Sequence, residues 1–278
     1  HYIEGCFEKG APIKTIDGVK RVEDIKENDA VLTHTGSYKR VYKTQQRKHN
    51  GVMCTIQYYG DTRQKIRITG HHPILAVKRQ KIEYKNKEFN PQWIEAAQLE
   101  KNDYAAIPIE RNVISQDKRF FSVKIGRGRH QPKNVEFPIE TDKDFFRLVG
   151  YYMAEGSAIG ENYLTFTFNK GEKQCIEDVK ELLEKFFGKE PLENKEYKNG
   201  ISIVLCSTVA ARIFRQEFGS GAKNKSLPKW LMLEAPEKQA EFIKGYWRGD
   251  GSFISKKYSW GNKRMFRINT ISELLAEQ

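Results

Sequence analysis

Two copies of one short pattern constrain the fold of this chain more than any other feature. Residues 148–156 read LVGYYMAEG and residues 243–251 read IKGYWRGDG. Each stretch follows an apolar, helix-like run, and in each a glycine is followed four residues later by a small residue, then an acid and a second glycine. Small residues four apart lie on one face of a helix, so the pattern predicts two helices whose backbones approach closely.

The acids of the two patterns predict a metal site where these helices end. Glu155 and Asp250 stand at the C-terminal ends, where the helix dipole disfavours a carboxylate, which indicates that they serve another purpose. Two carboxylates brought together across a pseudo-two-fold axis suit Mg²⁺. The alternative is a pair of amphipathic helices with solvated ends, and it loses weight because the pattern occurs twice.

Composition points to an anionic partner. The chain of 278 residues has room for about two domains and carries a formal net charge of +12. A basic surface gains affinity for a phosphate backbone by releasing counterions. No apolar run reaches the roughly 20 residues of a membrane-spanning helix, so we expect no membrane partner. Four scattered cysteines are too few for a disulfide framework or a zinc site, and we expect a cytoplasmic protein.

The first part of the chain reads as short strands separated by turn signals such as Asp-Gly and Asn-Gly. It also contains an internal repeat, because residues 25–32 (IKENDAVL) resemble residues 99–106 (LEKNDYAA). In both copies Asn-Asp follows an apolar residue and leads into a strand. We therefore expect a mostly-β domain with two related halves.

Three residues of this β-rich part form a candidate reactive site. Cys6 follows Gly5, and Thr69 and His72 belong to the segment TGHHP directly after a strand. A thiol that attacks the carbonyl of the Gly5–Cys6 peptide bond forms a thioester by an N-to-S acyl shift. Imidazole can protonate the departing nitrogen, and a hydroxyl or an amide can polarise the carbonyl. The alternatives are a buried structural cysteine, which we favour for the other three, and a polar turn.

The chain resembles two known families at these motifs. The paired acidic motifs are similar to those of LAGLIDADG homing endonucleases. Residues 6–16 (CFEKGAPIKTI) and the T-x-x-H-P segment at 69–73 are similar to the first two splicing blocks of inteins. The resemblance implies that Cys6 is the nucleophile, His72 the proton donor and Thr69 the orienting hydroxyl, with Gly5–Cys6 as the scissile bond. It also implies that residues 1–5 belong to the host protein and that splicing needs no cofactor.

The resemblance to the endonucleases implies Mg²⁺-dependent cleavage of double-stranded DNA, with Glu155 and Asp250 as catalytic metal ligands. After Glu155 the patterns read strand, strand, helix, strand, strand, helix, which is the αββαββα unit of such enzymes. Lys225 lies in the segment KNKSLP, which is similar to the lysine block before the second motif of intein endonucleases. We expect Lys225 to be catalytic, with Lys223 and Lys229 as rivals.

We therefore expect a Hedgehog/intein (HINT) splicing domain over residues 6–112, a linker over 113–137 and an α+β LAGLIDADG endonuclease domain over 138–278. The linker is either solvated or an arm that tracks DNA phosphates. Its basic residues, which are candidates for DNA contact, are Lys118, Arg119, Lys124, Arg127, Arg129 and Lys133.

The second αββαββα repeat is expected to be incomplete, because the sequence stops soon after Asp250. The C-terminal splicing segment, which in inteins ends in His-Asn, is not found in it either. We expect the N-terminal portion of an endonuclease-containing intein, whose C-terminal segment is a separate chain, as in a split intein, or is missing from a fragment. The expected partners are a double-stranded DNA target, the flanking host segments (exteins) and that C-terminal segment.

Three rival functions stay open. A splicing element with a decayed nuclease acts only as a DNA-binding or structural module. An RNA-splicing maturase can be built on the same paired helices but has no use for Cys6. A Hedgehog-type autoprocessing domain shares the cysteine and the T-x-x-H segment but does not explain the two acidic motifs.

Overall fold

The computed structural model describes residues 5–58, 65–79, 89–110, 113–126, 132–195, 199–259 and 261–278. The chain divides into two compact units, His1–Asn112 (unit 1) and Val113–Gln278 (unit 2).

Unit 1 is built from short antiparallel strands, as the sequence predicts. The strands are β1 (Pro12–Thr15), β2 (Gly18–Arg21), β3 (Ala30–Leu32), β4 (Tyr38–Arg40), β5 (Met53–Gln57), β6 (Lys65–Thr69), β7 (Pro73–Val77), β8 (Gln92–Glu95) and β9 (Tyr104–Ala105). They form three sheets with the strand orders β2-β1-β3-β4, β5-β6 and β8-β7-β9.

The internal repeat predicted in unit 1 is confirmed at the level of backbone geometry. Asn28 and Asn102 have left-handed backbones, with φ of 75° and 74°, a conformation that asparagine tolerates better than most residues. In each copy the following aspartate, Asp29 or Asp103, accepts a hydrogen bond from the backbone N–H three residues earlier. In each copy this turn follows a 3₁₀ helix and leads into a strand that pairs with the first strand of its sheet, β1 or β7. The shared Asn-Asp therefore encodes one turn used twice.

Unit 2 has an α+β fold. Its elements are β10 (Lys118–Ile125), β11 (Lys133–Glu140), α1 (Lys143–Glu155), β12 (Gly156–Ile159), β13 (Tyr163–Asn169), α2 (Lys173–Phe187), β14 (Leu192–Lys195), β15 (Gly200–Cys206), α3 (Thr208–Phe218), α4 (Lys229–Met232), α5 (Pro236–Asp250), β16 (Gly251–Tyr258), β17 (Gly261–Ile268) and α6 (Glu273–Glu277). The order from α1 to α3 is the helix–strand–strand–helix–strand–strand–helix order predicted from the sequence. The strands β12-β13-β15-β14 form one antiparallel sheet, and β16-β17 form a separate hairpin.

The core of unit 2 forms where α1 packs against this four-stranded sheet and against α2 and α3. Alternate residues of β13, namely Leu164, Phe166 and Phe168, are buried on the helix side, as expected for a strand with one face toward the core. Asp142 caps the N-terminus of α1, because its carboxylate accepts a hydrogen bond from the backbone N–H of Phe145. No helix in the described ranges combines the length and the apolar character needed to cross a membrane.

Residues 113–137 do not form the linker expected from the sequence. Strands β10 and β11 pair in register as a hairpin, and Phe121, Val123 and Ile139 from it are buried in the core of unit 2. The basic and glycine-rich composition concealed a strand alternation in which every second residue of β10 faces inward.

The segment before the hairpin is also anchored within unit 2. The carboxylate of Glu234 is buried and accepts hydrogen bonds from the Ser115 hydroxyl at 2.8 Å and from the backbone N–H of Gln116 at 3.1 Å. Lys238, one turn further along the chain than Glu234, neutralises this carboxylate at 3.2 Å and donates to the Gln116 carbonyl. A buried carboxylate with several donors and a cation fixes these residues in place, since losing a partner would leave a buried charge.

Helices α1 and α5 cross at their glycines, as the repeated pattern predicts. A Cβ atom on Gly150 would lie 2.2 Å from the carbonyl oxygen of Phe242, and one on Gly245 would lie 2.2 Å from that of Arg147. A Cβ atom on Gly249 would lie 2.4 Å from the Ala154 Cβ. The two backbones therefore touch without intervening side chains, and this expectation is confirmed.

The crossing can be tested by adding a single methyl group. Gly150→Ala is expected to lower the free energy of unfolding by about 1–3 kcal/mol, because the helices must separate to admit the methyl group. The matched control is Gly171→Ala in the same unit, where the added Cβ would lie 3.3 Å from a side-chain oxygen of Asn169 and would meet no backbone atom. Urea unfolding of both variants measures the difference. Equal effects of the two substitutions would contradict the close crossing.

Candidate functional site

In unit 1, the residues around Cys6 are held against the end of β6. The backbone N–H of Thr69 donates to the Cys6 carbonyl at 3.0 Å, and that of Glu8 donates to the Arg67 carbonyl at 2.9 Å. Phe7 forms an isolated β-bridge with a residue of the same strand. This short ladder brings the predicted nucleophile next to the T-x-x-H segment, although 63 residues separate Cys6 from Thr69 in the sequence.

Thr69 contacts the nitrogen of the candidate scissile bond. The backbone N–H of Cys6 donates to the Thr69 Oγ1 at 2.9 Å, and Thr69 is buried. The sequence-based mechanism assigned the hydroxyl to the carbonyl side of the bond. The structure places it on the amide nitrogen instead, where it fixes the orientation of the peptide plane.

His72 lies against Gly5, the residue on the carbonyl side of the candidate scissile bond. A Cβ atom on Gly5 would lie 2.8 Å from both the Cα and the Nδ1 of His72, so only glycine allows this approach. The His72 Nδ1 is buried and has no hydrogen-bond partner among the described residues. Burial also lowers the pKa of His72 below its ordinary 6.5, which favours a neutral imidazole near neutral pH. A buried nitrogen without a partner, next to a peptide bond, is available for proton transfer.

In unit 2, the two acids of the repeated pattern meet where α1 and α5 end. Burial and the neighbouring charge of Asp250 raise the pKa of Glu155 to about 7. Burial also raises the pKa of Asp250. Both shifts indicate carboxylates that are partly shielded from water, and the shift of Glu155 also indicates that the charge of Asp250 is nearby.

Lys225 is the cation of this site. It is buried, and its ammonium donates to the carbonyl oxygens of Tyr152 at 2.7 Å and Met153 at 3.0 Å, at the end of α1. Burial lowers the pKa of Lys225 to about 8, although the charges of Asp250 and Glu155 oppose this shift. An ammonium has three donors, so one remains after these two bonds. The expected rival Lys223 is exposed.

The acids and the lysine fit a hard divalent cation. Carboxylate oxygens are the ligands that Mg²⁺ prefers, and it is often held by only one or two of them with water or phosphate oxygens completing the shell. Within the described residues there is no cluster of three or more His, Cys, Asp or Glu residues that could hold a metal ion. Glu155 and Asp250 are thus a pair of candidate ligands, and a bound cation would relieve their mutual repulsion.

Sequence reasoning missed a third acid and a polar network beside this site. The charge of Glu172, at the start of α2, also raises the pKa of Glu155. Asp178 of α2 accepts hydrogen bonds from Arg147 and Tyr151 of α1, and from Arg248 of α5 at 3.0 Å. One acid thus connects the helix of each motif to α2. Asp178 lies on the polar side of an amphipathic helix, where an acid is common, so the sequence did not distinguish it from a solvated residue.

Of the basic residues proposed for DNA contact that the structure describes, Arg119 does not share the exposed surface. Arg119 faces inward, with its guanidinium 4.3 Å from the centre of the Trp230 ring, so it is a packing residue. Arg127 and Arg129 lie outside the described residues. Those that remain exposed on the β10–β11 hairpin are Lys118, Lys124 and Lys133.

Comparison with known proteins gives relatives of different kinds. No family model matches the chain. It is 29% identical to the uncharacterized protein MJ0043 of Methanocaldococcus jannaschii over 91% of this chain and 35% of that protein. It is 27% identical to the iron-sulfur cluster assembly SufBD family protein Rv1461 of Mycobacterium tuberculosis, over 100% of this chain and 32% of that protein. It is also 27% identical to the ATP-dependent DNA helicase Hel308 of Thermococcus kodakarensis, over 98% of this chain and 27% of that protein.

The chain thus spans about a third of the length of the curated relatives it matches. Among solved structures it is similar to the I-SmaMI LAGLIDADG homing endonuclease bound to cleaved DNA. The identity is 18%, the likeness covers 44% of this chain and 63% of that chain, and the TM-score is 0.25. At this TM-score the likeness carries no argument about the fold or the function of the chain.

The burial of Glu155, together with the nearby charge of Asp250, predicts a pH dependence of stability. Glu155 has a pKa of about 7 in the folded protein against 4.5 ordinarily, so the folded state binds the proton more tightly. The contribution of Glu155 to the free energy of unfolding is therefore fully present below about pH 4.5 and is lost as the pH rises through about 7. We expect the free energy of unfolding of the metal-free protein to fall by about 1–2 kcal/mol on this account between pH 5 and pH 7.

Asp250→Asn is expected to reduce that fall, because it removes the charge that repels Glu155. Glu136→Gln, at an exposed acid of β11, is the matched control and should leave the fall unchanged. Urea unfolding at the two pH values, in the presence of EDTA, gives the comparison. An undiminished pH dependence in Asp250→Asn would show that the two carboxylates do not interact.

Proposed function

We propose that this chain is part of an endonuclease-containing intein and that unit 1, as its splicing domain, performs an N-to-S acyl shift at Gly5–Cys6. One observation carries the proposal. Two groups suited to act on the peptide bond before Cys6 contact its two residues: the Thr69 hydroxyl accepts from the Cys6 nitrogen, and the unpartnered His72 Nδ1 lies beside Gly5. A buried imidazole nitrogen without a hydrogen bond is costly, and a purely structural turn would gain nothing from it.

The geometry supports a direct course for the reaction. The Cys6 thiol passes its proton to the neutral His72 imidazole, and the Cys6 sulfur attacks the carbonyl carbon of Gly5. The bond from that carbon to the Cys6 nitrogen then breaks as the thioester forms. The nitrogen leaves as an amine and takes up a proton, which His72 delivers. Thr69 holds the N–H of that nitrogen, so the plane of the bond is fixed before attack.

The pattern of relatives supports an inserted element. The aligned stretch takes up about a third or less of proteins whose names differ in kind, one a SufBD family protein and another a DNA helicase. It also covers nearly the whole of this chain. A segment shared by otherwise different proteins is what an element that excises itself from its host would produce. Its expected partners are the flanking host segments and a C-terminal splicing segment, whether on the same chain or on another.

For unit 2 we propose a LAGLIDADG-type DNA endonuclease. Glu155 and Asp250 would hold Mg²⁺, which would supply positive charge to the phosphate and to an attacking water. Lys225 fixes the end of α1 and places its remaining N–H near the acids, where it can stabilise negative charge on a phosphate. The net charge of +12 favours a DNA backbone as the large partner. Exposed Lys118, Lys124 and Lys133 are proposed to contribute to that attraction.

A second candidate is a splicing element with a decayed nuclease. The hydrogen bonds from Lys225 to the end of α1 favour it to some degree, because they give the lysine a structural role. The two reactive sites belong to different units, so one activity can be lost while the other is kept.

The splicing proposal predicts release of the segment that precedes Cys6. With hydroxylamine, which cleaves thioesters, the chain is expected to lose this segment, and intact mass spectrometry measures the loss. Cys6→Ala should abolish release, whereas Cys206→Ala, at an exposed thiol, should not. Repeating the assay with a C-terminal splicing segment added tests whether release needs that partner. Absence of release with and without the segment, while Cys6 stays reduced, would reject the proposed acyl shift.

The endonuclease proposal predicts cleavage that requires both Mg²⁺ and Glu155. A plasmid library with random inserts is incubated with the protein in Mg²⁺ or in EDTA, and the ends produced are sequenced. Glu155→Gln is expected to lose cleavage by at least about 10²-fold, because it removes a ligand charge, while binding of labelled DNA is retained. Glu136→Gln is the control. DNA binding without Mg²⁺-dependent cleavage in the wild-type protein would favour the decayed nuclease.

A further inference from the structure

Phe7 makes an aromatic contact with the imidazole of His72. The ring centres are 4.5 Å apart and the planes are inclined at 63°, an edge-to-face arrangement that is favourable for aromatic pairs. Phe7 is nevertheless 38% exposed, so it is not simply a core residue.

The position of Phe7 is fixed by the backbone. Its neighbours Cys6 and Glu8 make the hydrogen bonds to β6, and Phe7 itself is bridged to Ile68, which is fully buried. The Phe7 ring therefore projects from a stretch of backbone that its bonds to β6 hold in place.

His72 has little else to orient it. An imidazole is usually fixed by a hydrogen bond to one of its nitrogens, but no such bond to His72 is found in the part of the chain that the structure describes. The ring torsion of histidine is broad and roughly two-fold, so the backbone of His72 does not set the plane of the ring. Packing must set it, and the Phe7 ring is the aromatic surface that packs there.

We propose that Phe7 is a positioning residue that holds the His72 imidazole with its Nδ1 toward the Gly5–Cys6 bond. The inference deepens the proposed acyl shift and rests on it. Phe7 touches no reacting atom and acts through His72, by restricting ring rotation and by excluding water from one side of the imidazole. The residue next to the nucleophile thus aims the group that protonates the departing nitrogen.

The test compares Phe7→Leu, which keeps an apolar side chain but removes the ring, with Phe7→Tyr, which keeps the ring. NMR of ¹⁵N-histidine-labelled protein reports the tautomer and the pKa of His72, and the resonance is assigned by its loss in His72→Gln. Hydroxylamine-dependent release of the segment that precedes Cys6 is measured on the same samples across a pH series. Tyr42→Leu, which removes an exposed aromatic residue of unit 1, is the matched control.

Phe7→Leu is expected to raise the pKa of His72 toward its ordinary value and to mix its tautomers. Release should slow by about tenfold, a part of the roughly 10²–10⁴-fold that a well-placed acid–base group contributes. Phe7→Tyr should restore both readouts, and Tyr42→Leu should change neither. A purely structural role would alter stability without moving the tautomer or the pH profile.

An unchanged His72 tautomer and pKa in Phe7→Leu would overturn the proposal, whatever the effect on release. If Phe7→Leu does not fold, as judged by its NMR spectrum, Phe7→Met takes its place with the same expectations. The NMR readout does not depend on cleavage, so the two proposals can fail separately. If the wild-type protein releases no peptide, the acyl shift is rejected, and the NMR comparison still decides whether Phe7 orients His72.

Discussion

The candidate metal site of unit 2 depends on the direct backbone contact between α1 and α5. Where Gly150 and Gly245 meet, there is no room for a Cβ atom on either helix. Because the spacing is set by main-chain atoms, the helix ends are placed to within the tolerance of the backbone rather than of flexible side chains. Glu155 and Asp250, the acids near the ends of the two motifs, are therefore brought together by the crossing. The same contact explains why the residues spaced four apart in each motif are small.

This arrangement is electrostatically costly, which is the clearest sign that it serves a function. Two helices end at the same place, so two negative dipole ends and two carboxylates share a partly buried volume. Lys225 offsets part of the cost by bonding the last carbonyls of α1, but burial lowers its own pKa as well. A core selected for stability alone would contain neither the acids nor the lysine, since removing water from charged groups disfavours them all.

The sequence predicts those features that depend on residues close together in the chain. Local periodicity was sufficient for the helices of the two motifs, for the order of elements from α1 to α3 and for the Asn-Asp turns of unit 1. Interpretation failed where a distant partner decides the role of a residue. The basic neighbours of Arg119 predict a phosphate contact, but its guanidinium stacks on the ring of Trp230, which lies far along the chain. The sequence likewise does not determine which atom of the peptide bond the Thr69 hydroxyl contacts, because that contact depends on the fold.

The same constraint of close approach governs unit 1, where it bears on chemistry rather than on helix packing. A Cβ atom on Gly5 would overlap the backbone and the imidazole of His72, so a larger residue before Cys6 must displace the imidazole or the scissile bond. In the proposed reaction, that displacement would separate the proton donor from the nitrogen it serves while leaving the nucleophile in place. The hydrogen bonds to Thr69 hold Cys6 in place, whereas Gly5 lies against His72. The size of the residue before the nucleophile therefore affects the protonation of the departing nitrogen rather than the attack by sulfur.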